Sequence, residues 1–167
     1  WAEKVSVGKQ ISNLYISRME SPVKLATDQV LLTSPDYDWE RHGFWVNEGP
    51  GVLFHGDDIW LTYSASDTGP AYSVGMLHAK KNSDLLDPRS WEKSRYPVLS
   101  TDQELGIYGP GHNCFVKDEN ENDQMIVHAR TKSEIEGNPL DNPDRHAFIL
   151  PVRWNEDTPV FSFRGEI

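Results

Sequence analysis

Three short stretches of the sequence gather side chains able to move protons or grip a polar ligand. The first is Phe44-Trp45-Val46-Asn47-Glu48-Gly49-Pro50-Gly51-Val52-Leu53. One carboxylate, Glu48, stands in an apolar, aromatic run. A carboxyl drawn partly out of water keeps its proton to higher pH, which suits a general acid. The Gly-Pro-Gly beside it lets another chain segment or a ligand approach closely. A Glu satisfied by loop backbone fits the same spacing. The second stretch is Ile107-Tyr108-Gly109-Pro110-Gly111-His112-Asn113, where His112 could hold a metal ion or meet a substrate hydroxyl, or serve only as a structural imidazole. The third is Asp144-Arg145-His146, after the loop 137–143. Arg145 there could clamp a carboxylate or a sugar hydroxyl, or make a surface ion pair. Arg130, ending Val127-His128-Ala129-Arg130, has a weaker claim. Trp39, Phe44 and Trp45 could be stacking platforms for a ring or plain core residues.

The elements that must position these groups read as strands throughout. Runs rich in aromatic and β-branched residues alternate with clusters of Gly, Pro, Asn and Asp. Strands are expected at 13–18, 30–33, 52–54, 59–64, 72–78, 98–100, 113–116, 124–128 and 147–152. The segments 55–58 and 117–123 read as polar hairpin turns, one tight and one longer. No stretch keeps a helical apolar period for three turns, and 83–91 forms a turn of helix at most.

The chain also repeats itself. Gly49-Pro50-Gly51 returns as Gly109-Pro110-Gly111. Each copy is followed by an apolar run, a polar turn, a second run, a loop and a third strand. Four antiparallel strands in a unit of about 60 residues are the signature of a β-propeller blade. The expectation is an all-β chain with three units. Residues 1–33 are the outer part of one blade. Residues 34–100 are a second blade carrying Glu48, and residues 101–167 a third carrying the Gly-Pro-Gly-His-Asn motif. The first strand of each blade lines the central channel, so Glu48 and His112 should converge there. A propeller closes with four to eight blades, and two and a half to three are present, so a piece of a larger ring is expected. A complete small β-sandwich with a chance repeat is the alternative.

Composition narrows the partners. The 167 residues hold 16 Lys and Arg against 26 Asp and Glu, a net charge of −10. That balance argues against nucleic acid, which needs clustered cations, and against anionic lipid. No apolar run approaches the roughly 20 residues that span a bilayer. The single cysteine, Cys114, excludes an internal disulfide and a cysteine zinc site, and reads as a small apolar strand residue rather than a nucleophile. The sequence leaves the compartment open, because it starts at Trp1 and a leader could already be gone.

The motifs Val46-Asn47-Glu48-Gly49-Pro50, Leu61-Thr62-Tyr63-Ser64-Ala65-Ser66, Leu85-Leu86-Asp87-Pro88-Arg89-Ser90-Trp91 and Tyr108-Gly109-Pro110-Gly111-His112-Asn113, in this order, resemble glycoside hydrolase family 43. The likeness is greatest to its α-L-arabinofuranosidase members and runs from Trp1 to about Trp154. It implies a five-bladed β-propeller and hydrolysis with inversion by three carboxylates: an aspartate base, a second aspartate that tunes the acid, and a glutamate acid matched by Glu48. His112 matches a channel histidine that helps hold an axial ion, commonly calcium, directly or through water. No organic cofactor is implied. Arg145 matches an arginine reaching the site from the last blade. The implied substrates are arabinose- or xylose-containing oligo- or polysaccharides. Both aspartates match positions upstream of Trp1. The expected partner is therefore the set of N-terminal blades of the same protein, and the isolated chain is expected to be inactive or nearly so.

Overall fold

The computed structural model describes residues 1–6, 8 and 11–165. Its elements are strands, apart from single 3-10 turns at Asp38–Glu40 and Pro88–Ser90. The first group comprises β1 (Ala2–Lys4) and β2 (Ile11–Ile16), the small hairpin β3 (Met19–Ser21) and β4 (Lys24–Leu25), and β5 (Val30–Thr33). β1 and β5 both pair antiparallel with β2. The second group is an antiparallel meander of β6 (Trp45–His55), β7 (Asp58–Ala65), β8 (Ser73–Lys80) and β9 (Glu92–Lys93). The third comprises β10 (Tyr108–Lys117), β11 (Asp123–Arg130) and β12 (His146–Pro151), again antiparallel, and the chain closes with the hairpin β13 (Arg153–Asn155) and β14 (Thr158–Val160). A short parallel pairing joins the first two groups, with Ile11 opposite Trp45 and Ser12 opposite Val46. The chain is all-β, and its sheets succeed one another as propeller blades do.

Local chemistry sets the turns. His55 faces Asp58 across Gly56-Asp57, and Gly56 takes a φ of 49°, the left-handed conformation that two-residue hairpins demand. The longer turn between Lys117 and Asp123 is organised by Asp118, whose carboxylate accepts from the backbone N–H groups of Asn120 and Asn122. The inner strands are longer than expected, because both Gly-Pro-Gly segments stay in their sheets as bulged stretches. The run 98–100 is reduced to a bridge between Leu99 and Val74. Pro97, just before it, has no N–H to extend the ladder, and β9 takes the place beside β8 instead.

The core lies between the sheets. Every residue of β7 is buried. From its two faces Trp60 joins Leu53, Val74, Met76, Met125, Val127 and Leu150, while Leu61, Tyr63 and Ala65 join Leu14, Leu32 and Leu77. Face-to-face stacking of successive sheets therefore holds the three groups together through apolar clusters, with the buried polar pair Thr62 and Asn113 between the inner strands.

Candidate active site

Glu48 is carried by β6, and its aim is fixed one residue earlier. The side chain of Asn47, fully buried, donates to Oε1 of the fully buried Glu40 at 2.9 Å. Glu40 also receives the Tyr63 hydroxyl at 2.9 Å, the backbone N–H groups of Asp36 and Tyr37 at 2.7 and 2.8 Å, and the Lys93 ammonium at 2.9 Å. Five donors on one buried carboxylate make a rigid anchor. Side chains alternate along a strand, so Phe44, Val46 and Glu48 turn to the face opposite Asn47. All three line an open groove of about 570 Å³.

Beyond Glu48 the strand bulges, with Gly49 at a φ of 56°. The sequence allowed close approach by a chain or a ligand here, and the neighbours are protein. A Cβ on Gly51 would press on the amide of Asn113 and the hydroxyl of Thr62. A Cβ on Gly111, the matching position of β10, would run into the Tyr72 ring. The glycines thus bring the two inner strands and the Tyr72 ring together.

That approach produces a cluster at the Glu48 carboxyl. The Tyr72 hydroxyl donates to Oε1 of Glu48 at 2.6 Å. Nδ1 of His112 lies 3.5 Å from the same hydroxyl and 4.0 Å from Oε1. His112 has a φ of 49°, unusual for a residue with a Cβ, and its N–H is held at 2.6 Å by the Ser64 hydroxyl. Tyr72 is wholly buried and stacks on His128, their ring centroids 5.4 Å apart and nearly parallel. Nη2 of Arg145 reaches Nε2 of His128 at 3.0 Å.

Electrostatics assigns the protons. Burial pushes the Tyr72 phenol well above its usual range, and the Glu48 carboxylate adds to this, so Tyr72 remains a donor. Burial lowers the His128 pKa to about 4, helped by the positive charges of Arg145, His112 and Arg130. A neutral His128 accepts from Arg145 at Nε2 and carries its hydrogen on Nδ1. No other hydrogen bond reaches the Glu48 carboxyl among the described residues, and its side chain keeps about a third of its exposure, at 32%.

Of the residues singled out from the sequence, Glu48, His112 and Arg145 fall in this one cluster, and Phe44 lines the groove beside it. Trp45 does not: its ring lies under the Arg41 guanidinium at 4.7 Å, off the groove lining. In the sequence Tyr72 and His128 stand only as residues of expected strands. The available signal was position: both belong to strands or loops next to the inner strand of a blade, where side chains meet at the axis. Among the described residues no group of three His, Cys, Asp or Glu side chains is placed to hold a metal ion.

The comparisons with known proteins agree with this picture. The chain is 40% identical over 163 residues to the extracellular exo-alpha-(1->5)-L-arabinofuranosidase of Streptomyces avermitilis, covering 96% of itself and 34% of that protein. It is 39% identical over 152 residues to alpha-L-arabinofuranosidase B of Pyricularia oryzae, covering 90% of itself and 31% of that protein. The crystal structure of an alpha-L-arabinofuranosidase from Lactobacillus brevis superposes with a TM-score of 0.90 at 44% identity, over 98% of this chain and 50% of that one. The chain thus spans about a third of the length of these curated relatives and half of the solved structure. Its fold is that of part of a five-bladed propeller. The sequence model of Glycosyl hydrolases family 43 matches residues 1–159, nearly the whole chain, and the chain belongs to that family.

Proposed function

We propose that this chain forms the general-acid side of an inverting glycosidase that removes terminal α-L-arabinofuranosyl groups, or β-xylosyl groups, from arabinose- or xylose-containing polysaccharide. The observation that carries the reading is the Glu48 carboxyl in the groove, gripped at Oε1 by Tyr72. In this reading Glu48 protonates the departing glycosidic oxygen from Oε2. His112 lies beside the Glu48 carboxyl and Arg145 beside His128, both off the groove lining itself, and in this reading they would meet sugar hydroxyls. Phe44 would pack on an apolar face of a sugar.

Inversion also needs a base across the sugar ring, roughly 6.5–9.5 Å from the acid, to activate water. By resemblance that base and the tuning aspartate belong to blades that match no part of these 167 residues, so the chain alone is proposed to be inactive or nearly so. Calcium takes oxygen ligands, so His112 would touch an axial ion through water, and nothing in the proton transfer depends on one. The test joins the chain to blades bearing the two aspartates and assays an aryl α-L-arabinofuranoside with a poor leaving group. Glu48→Gln should abolish most turnover there and spare activated leaving groups. Full activity on the poor leaving group would end the acid assignment.

A second reading is a non-catalytic carbohydrate-binding fragment of a propeller. It is favoured by the apolar residues Phe44, Val46 and Leu140 that share the groove with Glu48. Calorimetry with arabino- and xylo-oligosaccharides separates the two, since affinity without turnover in the joined protein favours binding alone.

A further inference from the structure

Arg130 is the largest fully buried side chain among the described residues, at 1% exposure. It sits at the end of β11. Its guanidinium donates through Nε to the Thr68 carbonyl at 3.2 Å, through Nη1 to Asn142 Oδ1 and the Asp144 carbonyl at 3.1 Å each, and through Nη2 to the Pro139 carbonyl at 2.6 Å. Among the described residues no carboxylate oxygen hydrogen-bonds to it. The Asp144 carboxylate turns instead to the N–H groups of Thr131 and Lys132 and to the Thr131 hydroxyl, fastening the start of the same loop.

Two of the four acceptors are groove residues from different blades. Thr68 lies in the loop between β7 and β8, which contributes Ser66, Asp67 and Thr68 to the lining. Pro139 lies in the loop between β11 and β12, which contributes Asn138, Pro139 and Leu140. A buried guanidinium with no hydrogen-bonded carboxylate among the described residues is a poor source of stability: burial lowers its pKa, and the nearby Asp144 charge offsets this only in part. It is a good source of geometry, because its planar fork fixes the directions of several acceptors at once.

We propose that Arg130 is a positioning residue that sets the spacing between the two loops walling the Glu48 groove. By tying Thr68 and Pro139 to one rigid plane, it holds the groove at one width for the ring it receives. Its relevance to catalysis rests on the sugar-site reading above, but its test does not.

The experiment is site-resolved amide exchange on the 167-residue chain. The reporters for the first loop are the N–H groups of Asp67 and Tyr72, bonded to the His42 and Gly69 carbonyls. For the second they are Asp141 and Asn142, bonded to the Asn138 carbonyl, and Arg145, bonded to that of Pro143. Arg130→Met should speed exchange about tenfold or more in both sets while β7 and β8 keep their protection. Asn142→Ala, which removes one acceptor from the second loop, should loosen the second set and leave Asp67 and Tyr72 unchanged. Unchanged exchange at Asp67 and Tyr72 in Arg130→Met overturns the proposal, as does equal loss of protection in β7 and β8. If that variant does not fold, Arg130→Lys decides: its single ammonium cannot span both loops, so both sets should loosen, and full protection overturns the proposal. Failure of the hydrolase reading would show as absent turnover in the joined protein and would not alter these rates.

Discussion

The hydroxyl of Tyr72 donates a 2.6 Å hydrogen bond to Oε1 of Glu48, so the residue most engaged with the candidate acid is one that cannot itself give up a proton near neutral pH. Tyr72→Phe removes that bond and keeps the ring stacked on His128. The expected cost in urea unfolding is about 1–2 kcal/mol, since the Glu48 carboxyl loses its buried hydroxyl donor. In the protein joined to aspartate-bearing blades, turnover should fall about tenfold or more as the carboxyl loses its fixed orientation.

Lys93→Met should be far more damaging than its place in the two-residue strand β9 indicates. It leaves Glu40, wholly buried, without its only cationic partner among the described residues. The expected loss is about 3–5 kcal/mol by urea unfolding, because an uncompensated carboxylate remains in the core. A loss below about 1 kcal/mol would mean that the four neutral donors satisfy Glu40 unaided.

Acid should weaken the fold in two separable steps. His128 has a folded pKa of about 4 against a usual 6.5, so the folded form resists protonation. Stability is complete above pH 6.5 and is lost as the pH falls from there towards 4. Asp144 behaves in the same sense at lower pH. Burial alone would raise its pKa, but hydrogen bonds from Thr131, Lys132 and His146 outweigh that and hold it at about 2. Its contribution is present above 3.8 and is lost as the pH falls towards 2. Urea midpoints measured against pH should show both slopes, and His128→Gln should erase the upper one alone.

Gly111→Ala tests the close approach of the inner strand to its neighbours. The new methyl would run into the Tyr72 ring, which is wholly buried. A loss of about 1–3 kcal/mol is expected, together with altered Tyr72 ring resonances. Gly56→Ala meets no neighbour and should show only the smaller cost of its positive φ.

The blade architecture was legible because the Gly-Pro-Gly repeat recurs in step with the strand pattern. Both copies sit on inner strands, and Glu48 and His112 lie 4.0 Å apart. Tyr72 and His128 were harder to see, since a tyrosine or histidine at the end of an apolar run looks like any half-buried strand residue. Only the third dimension stacks the two rings and brings the Tyr72 hydroxyl onto a carboxylate from another strand. Trp45 carried its own warning. It has the opposite parity to Phe44, Val46 and Glu48, so alternation alone turns it to the other face. Arg130 has only a weaker claim in the sequence because its acceptors are carbonyls scattered from Thr68 to Asp144, which no local motif reveals.

Because β7 buries all eight of its side chains, it has no wet side to tell a forming hairpin which way up it should lie. A slip by one position would carry the face of Asp58, Trp60, Thr62 and Ser64 into the layer filled by Ile59, Leu61, Tyr63 and Ala65, and the contacts of both layers would be lost. The safeguard is the Gly56-Asp57 turn, which admits one alignment of β6 with β7. A single residue inserted there should therefore yield misfolded, sticky chains rather than a mildly weakened protein, although the insertion site itself is exposed.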